Sequence, residues 1–99
     1  MSTHSLLQVL SETIVLLEKY DVPHWAQWFR KDTQTFSASP RDTVEHILKA
    51  FGGMGSFNDL YICSENGHSV SKAEEPAANR ELQRLRDEIY KLSTNLRSQ

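Results

Sequence analysis

Apolar residues recur along most of the chain at the three- and four-residue spacing of an α-helix. Between Thr3 and Tyr20 they form one stripe, which contains Leu6, Leu7, Leu10, Ile14 and Leu17 and is widened by Val9 and Leu16. A stripe this wide predicts a central helix that touches more than one neighbour, or a helix with one side left for a partner.

A second helix is predicted from Pro23, because proline suits the first turn of a helix, where the backbone N–H has no intrahelical partner. One face of this helix carries its aromatic residues, which are Trp25, Trp28, Phe29 and Phe36. Asp32 lies in the middle of the same face. Since a carboxylate among aromatic rings is costly without hydrogen bonds, we expect an indole N–H or backbone N–H groups of a nearby loop to donate to it.

A third helix is predicted to begin at Ser39-Pro40, with Ser39 as the N-cap and Asp42 completing a variant of the capping box. Its apolar stripe consists of Val44, Ile47, Leu48 and Phe51. Gly52 follows directly and is expected to be the left-handed residue that ends the helix.

Residues 51–62 form a glycine-rich segment, with three of the four glycines set among large apolar residues. We predict a buried structural turn. A phosphate loop is disfavoured, because these glycines follow the C-terminus of a helix and no lysine comes after them. A recognition surface with Ser56, Asn58 and Asp59 as polar contacts remains open. Residues 57–62 and the turn at Asn66-Gly67 leave room for one short hairpin.

The last helix is predicted from about Pro76 to Arg97, with apolar residues at heptad spacing at Leu82, Leu85, Ile89, Leu92 and Leu96. This seam packs on the protein's own helices, joins two copies in a dimer, or binds a partner helix. Glu81 and Arg86 flank it where an interchain salt bridge would fit.

Composition limits the possible functions. The chain has 99 residues, which predicts one domain, with a helical core at 1–75 and a long helix at 76–99. Its single cysteine excludes an intramolecular disulfide, and its formal charge is −2. No broad positive field favours nucleic acid. The longest apolar run, Ile14 to Leu17, is too short for a membrane span, and no signal peptide is visible, so a cytoplasmic protein is expected.

Three small groups of residues are candidates for a metal-binding, catalytic or nucleic-acid-binding site. Asp42 and His46 share a helical face as metal ligands can, but no third ligand is near in sequence, so a solvated histidine is favoured. Cys63 and His68 resemble part of a thiol nucleophile, without an activating environment. The basic residues of the last helix alternate with acidic ones, which indicates a solvated face. Neither a cofactor nor a metal is expected.

The stretch from Trp25 and Trp28 through the signature Gly-Gly-Met-Gly-Ser-Phe-Asn-Asp-Leu, residues 52–60, resembles a family of small bacterial proteins of unknown function. The resemblance covers the first two-thirds of the chain and implies no activity. By analogy of size and style alone, such proteins are similar to immunity proteins that neutralise bacterial toxins.

The sequence therefore predicts a mainly α, four-helix domain with a glycine-rich turn between the third and fourth helices. We expect a non-catalytic protein-binding function, immunity-like in its most concrete form, whose partner is another protein such as a toxin. The alternatives are a homodimeric scaffold joined by the last helix and a small hydrolase-type enzyme with a site at Asp32, Ser56, Asn58 and Asp59. The candidate binding residues are Trp25, Asp32, Gly53, Ser56, Asn58 and Asp59.

Overall fold

Four α-helices account for most of the computed structural model, which describes residues 2–99 and the side chains from Ser5 onward. They are α1 (Ser2–Lys19), α2 (Pro23–Thr35), α3 (Pro40–Lys49) and α4 (Glu75–Arg97). The segment between α3 and α4 contains two single 3₁₀ turns, Phe57–Asp59 and Ser64–Asn66. The predicted four-helix fold with a long C-terminal helix is confirmed. Residues 2–99 contain no strand, so the hairpin is not formed.

The four helices form a closed arrangement in which α1 and α3 each pack against both α2 and α4. The wide stripe of α1 is explained by these two neighbours. The residues with no solvent exposure include Leu10, Leu17, Phe29, Ile47, Phe57, Leu85 and Ile89. Four apolar residues are only partly buried and pack at the edge of this core: Trp28, Leu48, Phe51 and Leu60. No helix in residues 2–99 is long and apolar enough to cross a membrane.

The heptad seam of α4 packs within the chain. Leu82, Leu85 and Ile89 have no solvent exposure, and Leu92 and Leu96 are partly buried against the same core. A dimer joined through this seam would first have to withdraw these side chains from α1 and α3.

The helix ends differ in part from those predicted. α1 ends in a Schellman arrangement, in which Val22 N–H donates to Leu17 (2.8 Å) and Asp21 occupies the left-handed region at φ 60°. Ser39 is the N-cap of α3, but its side chain makes no capping hydrogen bond. Gly52 is not the left-handed residue; the chain reaches that region at Gly53 (φ 79°) and Gly55 (φ 77°).

The prediction that the glycine turn is buried is wrong for Gly52 to Gly55, which are exposed, with Met54 fully so at the tip. No atom lies within 4 Å of a Cβ built at Gly53 or Gly55. These two glycines are therefore required by their backbone angles and not by a close crossing of chains.

Polar side chains hold this exposed turn in place. Asp59 Oδ2 accepts a hydrogen bond from Gly55 N–H at 2.7 Å, and Ser56 Oγ accepts one from Asn58 N–H at 3.2 Å. At its base, Phe57 enters the core and its N–H donates to Ala50 at 2.7 Å. Burial is thus confined to the end of the turn, where Phe57 anchors it.

α4 supplies hydrogen-bond partners to the irregular segment. The Arg86 guanidinium is buried and donates to the carbonyls of Phe57 (2.9 Å) and Leu60 (3.1 Å). Two helical turns earlier, the Asn79 amide accepts from Ile62 N–H and donates to Ile62 C=O, both at 2.8 Å. Arg86 is thus a structural residue inside the protein, and the exposed interchain position predicted for it is wrong.

Arg86→Met should destabilise the fold by about 1–3 kcal/mol, because the carbonyl groups of Phe57 and Leu60 both lose the hydrogen bond that the guanidinium donates. Arg84→Met is the matched control. Arg84 is exposed and pairs with Glu12 and Glu81, so its loss should cost much less, because solvent screens exposed ion pairs. Urea unfolding of the two variants compares them, and equal losses would contradict the role given to Arg86.

Gly53→Ala should destabilise the protein by about 1 kcal/mol, since an L-residue is strained at positive φ. Gly52→Ala is the control: its φ is not positive, and its new Cβ would meet only Lys49 O at an ordinary 3.8 Å. Thermal unfolding should rank Gly53→Ala below Gly52→Ala, and the reverse order would be inconsistent with the turn described.

Candidate functional site

A carboxylate and an imidazole meet where α2 packs against α3. Asp32 Oδ1 lies 2.6 Å from Nδ1 of His46, and Asp32 is only 1% exposed. His46 is about one-third exposed, so the pair joins the buried interior to the surface. The expectation that His46 is a solvated histidine is wrong, because the packing of α3 on α2 turns its ring towards Asp32.

Trp28 holds the imidazole from one side. It stands one helical turn before Asp32 on α2, and its ring stacks on His46 with centroids 4.1 Å apart and an angle of 16° between the planes. The indole N–H does not donate to Asp32, so the prediction of an indole donor is wrong. Among the described residues, Trp28 Nε1 and Asp32 Oδ2 are both buried without a hydrogen-bond partner.

A shallow depression opens over this pair, with a volume of about 260 Å³. All of its lining residues have polar side chains: Lys31, Asp32, Thr35, Ser39, Asp42, Thr43 and His46. The Thr35 and Thr43 hydroxyls are hydrogen-bonded to each other at 2.7 Å, and Thr43 is buried. We call this feature the α2–α3 depression.

Burial raises the pKa of Asp32 from its ordinary value of 3.8 to about 6. The hydrogen bond and charge of His46 and the charge of Lys31 act in the opposite direction and limit the rise. Asp32 can therefore exchange a proton close to neutral pH, which is unusual for an aspartate and typical of functional sites.

The carboxylate of Asp32 also determines which ring nitrogen of His46 carries the proton. When the ring is neutral, Nδ1–H donates to Asp32 and Nε2 keeps its lone pair, an arrangement that suits a general base. In residues 5–99 no serine or threonine hydroxyl donates to His46, so no triad is assembled. The same residues contain no cluster of three or more His, Cys, Asp or Glu side chains that could hold a metal ion.

The glycine-turn residues predicted as binding contacts do not converge on Asp32. Ser56 and Asp59 hold the turn itself, and Asn58 Nδ2 donates to Phe51 C=O at 3.4 Å. The expectation that backbone N–H groups of a nearby loop donate to Asp32 is wrong: within the described residues Oδ1 is bonded to His46 and Oδ2 has no partner. The enzyme cleft that would have combined these groups with Asp32 is not formed within the described residues.

Trp25 lies in an aromatic cluster and is only partly exposed. Its ring centroid is 5.6 Å from that of Phe57 and 5.3 Å from that of Trp28. Trp25 therefore connects the base of the glycine turn with the ring that stacks on His46.

The other histidine constellation has a backbone role. His68 Nδ1 accepts a hydrogen bond from the N–H of Cys63 at 3.1 Å, and Cys63 is buried. The imidazole therefore stabilises the short 3₁₀ turn at Ser64–Asn66, and its Nδ1 is not available to activate the thiol.

Sequence reasoning identified Asp32 but missed its partner. His46, Thr35 and Thr43 belong to two helices whose crossing cannot be deduced from the periodicity of either one. A signal was present: a carboxylate on a buried face needs a donor, and the helix that follows carries a histidine.

Residues 18–71, more than half of the chain, match the family described as Domain of unknown function (DUF6966), and the chain belongs to this family. The matched segment contains the whole α2–α3 depression and the glycine turn. No curated protein and no solved structure matches the chain. The predicted membership of a family without an assigned activity is therefore confirmed. No enzyme family and no enzyme fold was found among the matches.

Asp32→Asn should flatten the pH dependence of stability. Because the folded-state pKa is raised, the contribution of protonated Asp32 is complete below about pH 4 and is lost as the pH rises through about 6. The variant should therefore gain about 1–3 kcal/mol relative to wild type across this window. Urea unfolding from pH 4 to 7 measures it. Asp42→Asn, at the exposed rim, should follow wild type, and a parallel curve for Asp32→Asn would refute the assignment.

Proposed function

We propose that this chain is a non-catalytic protein-binding module whose contact surface surrounds the glycine turn. The supporting observation is Met54, which is fully exposed at the tip of a turn that the protein itself holds in place. A long, flexible thioether is well suited to fill an apolar recess on another protein.

Single exposed apolar residues are common, so the surroundings of Met54 matter more than its exposure alone. Beside the turn lies a groove of about 270 Å³ that is lined by the half-buried Phe51 and the half-exposed Tyr90. These two rings are in edge-to-face contact, with centroids 5.3 Å apart. Methionine and tyrosine are enriched in the centres of protein interfaces. Together Met54, Phe51 and Tyr90 form what we call the turn surface.

The rigidity of the turn also supports this proposal. Two glycines at positive φ and the hydrogen bond from Gly55 N–H to Asp59 fix the path of the backbone. A surface that is already ordered loses less conformational entropy when it binds. The polar residues Asn58, Arg86 and Asp87 line the groove, so the matching partner presents an apolar recess bordered by hydrogen-bonding side chains.

The narrower form of the proposal is an immunity-like role, in which the partner is a toxin. Its support is the small size of the chain and the absence of an assembled triad in the described residues. This form requires that the bound protein be a toxic enzyme and that binding inhibit it.

A photo-crosslinking residue at position 54 should capture one protein in cells of the source organism, whereas the same residue at Val15 should not. Val15 is the matched control because it is also apolar and well exposed, at 66%, but lies on α1. The captured protein, once purified, should bind the unmodified chain, and Met54→Ser should weaken binding roughly tenfold or more.

The folded state of Met54→Ser should be unaltered, because the side chain makes no buried contact. Identical crosslinking from positions 54 and 15, or unchanged affinity of Met54→Ser for the purified protein, would contradict the turn surface as the binding site.

A further inference from the structure

The α2–α3 depression contains an acceptor that lacks a donor. Asp32 is 99% buried, and only its Oδ1 is hydrogen-bonded, to His46; Oδ2 has no partner within the described residues. A buried carboxylate oxygen without a hydrogen bond is costly. Asp32 lines the depression, so a donor from outside the chain that displaces the side chains covering Oδ2 would be bound favourably there.

The charges around the depression favour a cationic donor. Asp42 adds a second carboxylate at the rim, while Lys31 is the only lysine or arginine in the lining. Nδ1 of His46 is already hydrogen-bonded to Oδ1 of Asp32 and therefore does not serve Oδ2. Each of the Thr35 and Thr43 hydroxyls retains acceptor capacity beyond their mutual hydrogen bond.

The shape selects a small planar group. A volume of about 260 Å³ would hold several waters at about 30 Å³ each, or one small organic group. Trp28 covers one face of the His46 ring, and the remaining exposed part of the ring lines the depression. A guanidinium is planar, stacks on rings, is weakly hydrated and presents several donors in one plane.

We propose that the α2–α3 depression binds a guanidinium group, which donates to Asp32 Oδ2 and lies against the ring of His46. The exposed Lys31 side chain at the rim moves aside as the group enters. The guanidinium belongs either to a free small compound or to an arginine side chain of another protein. This site is separate from the turn surface and does not rest on the protein-binding proposal.

The probe is argininamide, and its matched control is citrullinamide, in which a neutral urea replaces the guanidinium. In the full-length chain, argininamide should shift the NMR signals of the His46 ring and of the Thr35 and Thr43 amides, and the shifts should saturate. Citrullinamide should leave these signals in place. Equal shifts from both compounds, or no saturable shift with argininamide, would overturn the proposal.

Two substitutions with opposite expected effects localise the site. Asp32→Asn should weaken argininamide binding roughly tenfold to a hundredfold, which corresponds to one charge-assisted hydrogen bond. Lys31→Gln should tighten it about twofold to fivefold by removing a like charge at the rim. Lys31 is exposed, so this variant remains informative even if Asp32→Asn does not fold. Unchanged affinity in Lys31→Gln would count against the site.

The source of the group is distinguished by a blocked peptide with one arginine between glycines. Binding of this peptide as tight as that of argininamide indicates an arginine side chain of a protein; binding of argininamide alone indicates a free compound. A magnesium ion that reproduces the shifts when argininamide does not would refute a guanidinium site. Met54→Ser should bind argininamide like wild type, which keeps failure of this proposal distinct from failure of the turn surface.

Discussion

The insertion of Phe57 into the core, held by Arg86, is the interaction on which the arrangement of this protein depends. The 25 residues between α3 and α4 contain no regular secondary structure beyond two single 3₁₀ turns. Arg86 reaches the carbonyls of Phe57 and Leu60, and Asn79 pairs with Ile62 as a neighbouring strand would. Burial lowers the pKa of Arg86, yet a guanidinium stays charged at any physiological pH and keeps its donors.

Phe57 also connects the glycine turn with the α2–α3 depression. Its ring contacts Trp25, Trp25 contacts Trp28, and Trp28 stacks on His46. These contacts make the position of the imidazole depend on the packing of the turn's anchor. The aromatic face of α2, which the sequence showed plainly, thus places the two candidate surfaces relative to each other, although they share no residue.

The helices could be predicted because their signals are local: apolar residues recur with the helical period, and proline marks three of the starts. The positive φ near the end of α3 was predicted one residue early, at Gly52 instead of Gly53. Arg86 and His46 could not be placed, because their partners lie on other elements and depend on how the helices cross. The sequence pattern around an arginine at a flanking heptad position is the same whether its side chain faces solvent or a buried carbonyl.

Asp32 is difficult to explain as a structural residue alone. An apolar side chain of similar volume at this position would avoid the desolvation that raises its pKa, and it would leave no unpartnered oxygen. Replacing a buried ionic pair with apolar residues is often neutral or stabilising, so stability gives little reason for Asp32 and His46 to be here. Specificity of helix packing would be served by the hydrogen bond at Oδ1 alone. Asp32, whose Oδ2 has no partner, lines a polar depression, and a ligand that supplies the missing donor would bind there.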